Sequence, residues 1–128
     1  MVLAAELREA PVEGDAMTAT ADCRDFEDGP YPGPDGRCGA SFLACLGCTN
    51  ARIHPGHHAR LAHLHHALAR LRSAMNPALW QADWGDAHAR LEHLSRRLGP
   101  AAWTKALSEV TDDERDLIDD LLTGGLAA

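Results

Sequence analysis

No run of about 18 apolar residues occurs in this 128-residue chain, which argues against a membrane-spanning helix. The opening residues, Met1 to Glu9, have neither a basic start nor a long apolar stretch, so no signal peptide is read there. The chain is therefore expected in the cytoplasm, where thiols stay reduced and neighbouring cysteines bind metal more often than they form disulfides. Aromatic residues make up only 5%, and Tyr31 is the single tyrosine. Lysine is reduced to Lys105 against eleven arginines. There is no H-E-x-x-H, no nucleophile set beside a base and no glycine-rich phosphate cradle, so nothing argues for an enzyme. Outside residues 23–48 there is no cysteine at all.

Acidic residues are also missing from one part of the chain. Residues 36–82 hold none, but carry Arg37, Arg52, Arg60, Arg70 and Arg72 and six of the eight histidines. Residues 1–35 sum to −7, the middle to +5 and residues 83–128 to −5, which gives the net charge of −7. That total argues against the whole chain being a nucleic-acid-binding surface. The basic middle either meets an anionic partner or is covered by the acidic ends folding back, and the second reading is favoured on general grounds.

Within those limits the cysteines stand out. Cys23, Cys38, Cys45 and Cys48 follow a C-x14-C-x6-C-x2-C spacing. A tetrahedral zinc ion takes four thiolates, and the Cys45–Cys48 pair is a short-spaced clamp. Gly36, Gly39 and Gly47 let the backbone turn near the ligands. The Gly- and Pro-rich stretch from Phe26 to Gly36 reads as a loop whose ends a shared metal would tie. Zinc held by all four cysteines is the favoured expectation. The alternatives are three cysteines with His54 or His57, an iron–sulfur cluster, or buried cysteines without metal. WhiB-like iron–sulfur regulators also carry four cysteines and one CxxC. Theirs lies mid-set and is followed by a Gly-Trp-Gly-Gly turn, which this chain lacks.

From residue 54 the pattern is helical. His54 suits N-cap and Pro55 suits N1, and Leu61, Leu64, Leu68, Leu71 and Met75 form a stripe. Asn76-Pro77 restarts a helix with Trp80, Trp84, Ala87, Leu91, Leu94 and Leu98 on one face, and Gly99-Pro100 ends it. A short helix over about 101–108 carries Trp103. Thr111 and Glu114 form a capping box for a last helix with Leu117, Ile118, Leu121 and Leu122. Residues 1–10 suggest a short helix with Leu3 and Leu7 on one face, residues 11–20 a linker, and no strand pattern is evident. The three tryptophans read as core. The histidines of 54–66 read as surface or boundary residues, with a ligand or phosphate role as the lesser alternative.

Several stretches in order resemble a known family. They are Thr18-Ala-Thr-Ala-Asp-Cys23; Cys38-Gly-Ala-Ser-Phe-Leu-Ala-Cys-Leu-Gly-Cys-Thr-Asn-Ala-Arg52; His54-Pro-Gly-His-His-Ala-Arg-Leu61; Trp80-Gln-Ala-Asp-Trp-Gly-Asp-Ala-His-Ala-Arg-Leu91; and Asp112 to Leu122. Over about residues 18–123 the chain resembles the C-terminal cysteine-rich region of large actinobacterial tyrosine-type site-specific integrases. The family often has Pro where Thr49 stands and Thr where His54 stands. The recombinase catalytic domain, with its tyrosine nucleophile, is not present. The resemblance implies an appended, non-catalytic module that serves DNA recombination by contacting DNA or a recombinase subunit.

The fold expected is mainly α: a small four-cysteine metal-binding loop module packed on an antiparallel helical hairpin plus two short helices. Residues 1–22 would be an N-terminal arm, 23–56 the zinc-binding module and 57–128 the helical bundle. Arg52, Arg60, Arg70 and Arg72 are the candidate phosphate contacts.

Overall fold

The structure is a computed structural model that describes residues 3–24 and 42–124. Cys38 and the whole Gly/Pro-rich loop from Phe26 to Gly36 lie outside the described residues.

The protein is mainly helical. Helix α1 runs Pro55–Ala74, α2 Pro77–Trp80, α3 Asp86–Leu98, α4 Pro100–Ser108 and α5 Asp112–Gly124. The expected caps are in place. His54 accepts from the Gly56 N–H ahead of Pro55, and Asn76 accepts from Ala78 and Leu79 ahead of Pro77. Thr111 and Glu114 exchange hydrogen bonds of 3.1–3.2 Å at the head of α5. Gly99, with φ of +94°, separates α3 from α4, a conformation that suits glycine. Between α2 and α3 the chain stays helical through a π turn at Gln81–Gly85. Residues 77–98 therefore form one continuous arm that returns along α1.

The apolar stripes meet as their spacing dictates. Leu61, Leu64 and Leu68 of α1 pack with Trp80, Trp84, Leu91 and Leu94, and all are buried. Trp103 of α4 and Ile118 of α5 complete the same cluster. The Trp80 indole N–H also donates to the Leu68 carbonyl at 2.9 Å, which pins the hairpin near its turn.

The amino-terminal third differs from expectation. Residues 1–10 are not helical where described. Glu6–Leu7 is strand β1, and it pairs in parallel with β4, Ala51–Ile53. Strands β2 (Ala16–Met17) and β3 (Asp22–Cys23) complete a sheet of order β1-β4-β3-β2. The reason is hydrogen-bond demand. The amides around β1 find acceptors in trans: Ala4 N–H donates to Leu46 O, and Arg8 N–H to Ile53 O. A local helix would forgo those bonds and expose Leu3 and Ala5, which are buried against the core. Residues 3–23, the 42–53 segment and the helices all contribute to the one apolar cluster.

Candidate functional site

The cysteines lie where the sheet meets a 3-10 turn at Phe42–Gly47. Cys45 is half-buried, and Cys48 and Cys23 are buried. Cys48 N–H donates to Cys45 O at 3.2 Å, closing the knuckle, and Ala51 N–H donates to Cys48 O at 3.2 Å. Ala51 is in turn the strand partner of Cys23. Thr18, in the turn leading to β3, places Oγ1 3.7 Å from Cys45 Sγ. The fold thus gathers these three cysteines into one neighbourhood. Their sulfurs do not all lie within 4.8 Å of one another, so no thiolate cluster is formed among the described residues.

Two other groups do bring ligand atoms that close. In the first, Asp22 of β3 faces His54 and His57 at the head of α1. His54 Nδ1 accepts from Gly56 N–H at 3.1 Å, and His57 Nδ1 accepts from His54 N–H at 3.1 Å. A ring nitrogen that accepts carries no proton, so in each neutral ring the proton sits on Nε2. Both Nε2–H groups then donate to the Asp22 carboxylate, at 3.1 Å and 3.2 Å. Every polar atom of this clasp has a partner. Burial, with the neighbouring His54, pushes the His57 pKa down to about 4 against the pull of Asp22. A cation at Nε2 would need the proton moved to Nδ1, where a fixed backbone N–H already points. Asp22, His54 and His57 therefore form a structural clasp between sheet and helix.

The second group is His65 of α1 with His88 and Glu92 of α3. His65 Nε2 lies 2.6 Å from Glu92 Oε1, and Trp103 Nε1–H donates to His65 Nδ1 at 3.0 Å. The His65 and His88 rings stack at 5.0 Å, and Trp80 meets His88 edge-on at 5.2 Å. The hydrogen bond from His65 holds the Glu92 carboxyl below its usual range. Burial and the neighbouring His65 push His88 down.

Two further histidines also join elements. His93 Nδ1 accepts from Leu3 N–H at 3.1 Å, and His63 meets Asp119 of α5 at 2.9 Å. Sequence reading missed these pairings. The four-residue spacing of His88 and Glu92 was a local signal, but the side chains that hydrogen-bond between elements lie 27 or more residues apart.

The candidate phosphate contacts are dispersed. Arg52 donates to Asp15 at 2.9 Å and lies 3.7 Å from Glu6. Arg60 is half-buried, with its Nε enclosed. Arg72 stacks over the Trp80 ring at 4.7 Å. Arg70 is exposed on a groove wall that includes Asp119. Acidic groups from both ends of the chain thus meet the basic middle at named points. Among the described residues, no helix is long and apolar enough to cross a membrane. Comparison of the chain with protein families, curated proteins and solved structures finds no match.

Proposed function

We propose that this chain is a zinc-stabilised, non-catalytic accessory module of DNA recombination, and that it works by holding a recombinase subunit. The link to recombination rests on the integrase-tail resemblance of residues 18–123. Zinc would be held by Cys23, Cys38, Cys45 and Cys48. In support, the three described cysteines share one neighbourhood at the sheet and knuckle. Cysteine also supplies the softest donors in the chain. Tetrahedral zinc with bonds of about 2.3 Å would set the sulfurs ~3.8 Å apart, so the ion would draw the knuckle and β3 together. It would add no open position for chemistry.

The choice of a protein partner over DNA is carried by the distribution of charge. Arg52 is spent on Asp15 and Arg72 lies on Trp80. In contrast, α5 exposes Asp112, Asp113, Asp116, Asp119 and Asp120. A surface of that sign repels a phosphate backbone. It complements a recombinase catalytic domain, whose own DNA-binding face must be basic.

The test is to measure binding of the full chain to a tyrosine recombinase catalytic domain and, separately, to a DNA duplex at low salt. Binding to the protein that weakens with salt, with none to the duplex, is expected. Duplex binding with a steep log–log salt dependence and no protein binding would overturn the choice of partner.

A further inference from the structure

We propose that His65, His88 and Glu92 form a transition-metal site, separate from the cysteines, that takes a borderline divalent cation such as zinc or nickel. The donor set is two imidazole nitrogens and one carboxylate oxygen, which suits such ions and leaves a coordination position for water. His88 and Glu92 are four residues apart on α3 and so stand on one face, while His65 reaches them from α1. The His65 and His88 Nε2 atoms lie 2.6 Å and 3.8 Å from the same Glu92 Oε1. Tetrahedral zinc with bonds of about 2.1 Å sets its ligands ~3.4 Å apart, inside that range. The side chains are 17%, 14% and 43% exposed, so a cation can enter from solvent. Trp80 and Trp103 wall the inner side.

The state of the nitrogens separates this group from the Asp22 clasp. There, backbone amides hold both Nδ1 atoms and cannot turn away. Here no hydrogen bond occupies either His88 nitrogen among the described residues, and His65 Nδ1 is held by a single side-chain donor, Trp103, rather than by a backbone amide. When a cation takes the His65 Nε2 lone pair, the ring proton passes from Nε2 to Nδ1. The Trp103 N–H then loses its acceptor. Metal binding is therefore coupled to Trp103, and removal of the indole N–H relieves the competition.

The full chain, supplied first with one equivalent of Zn2+ for the thiolates, is titrated with Ni2+ and followed by calorimetry and tryptophan emission. One further equivalent should bind with a change in emission. His88→Gln should weaken that binding at least tenfold, and His66→Gln, at an exposed position, should leave it unchanged. Trp103→Phe should tighten it about fivefold, the factor expected from losing one opposing hydrogen bond of about 1 kcal/mol. Should His88→Gln fail to fold, Glu92→Gln supplies the same test. Absence of further Ni2+ binding, or binding that these variants leave unchanged, would overturn the site.

Discussion

The guanidinium of Arg90 rests on Gly47: a Cβ at residue 47 would stand 2.5 Å from Arg90 Cζ and 2.9 Å from its Nε. Gly47 is one of the two residues inside the Cys45–Cys48 knuckle, and Arg90 belongs to α3. The long helical arm therefore sits directly on the cysteine turn. Arg90 Nε is enclosed, which limits how far the side chain can retreat. Gly47→Ala should cost about 1–2 kcal/mol, as overpacking does. In an Arg90→Ala background the same change should cost much less. Urea denaturation of the four proteins gives the coupling directly, and strictly additive effects would contradict the contact.

Acid should weaken the fold through His57. Its folded-state pKa is about 4, against an ordinary value of 6.5. The unfolded chain therefore takes up a proton first as pH falls. The contribution is whole above pH 6.5, declines below that, and is lost below about pH 4. The linked loss is on the order of 3 kcal/mol. His58 and His88 are also lowered and act in the same direction. Urea midpoints should fall from pH 7 to pH 4.5 in the native chain, and less steeply in His57→Gln. A midpoint that is flat or rises on acidification would contradict the clasp.

Arg52 is a structural cation here. Its partner Asp15 has a side chain only 5% exposed, so Arg52→Ala leaves a buried carboxylate unpaired. The expected cost is about 2 kcal/mol, read as a lowered denaturation midpoint. Binding to the recombinase domain, measured where the variant is folded, should change less than twofold. A variant of unchanged stability would contradict the pairing.

The helices were legible because their signals are local and repeated. The stripe from Leu61 to Met75, the Asn76-Pro77 restart and the Thr111–Glu114 box each fit within a few turns. The sheet was not legible, because its strands are two or three residues long and show no alternation to read. β1 finds β4 some 45 residues away, a pairing that no local pattern encodes. Residues 1–10 looked helical because Leu3 and Leu7 are four apart; burial of Leu3 and Ala5 and the bonds to Leu46 and Ile53 decide otherwise. The cysteines were visible as a ligand count. Asp22, 32 residues before His54, gave no comparable sign.

The most direct test of the zinc-clasp account is metal analysis of the full chain purified without oxygen, beside its Cys45→Ser variant. The account predicts a colourless protein with one zinc per chain, and a variant that loses both the zinc and stability. A brown protein absorbing near ~400 nm, as iron–sulfur clusters do, or a Cys45→Ser variant with full zinc content and unchanged stability, would contradict it.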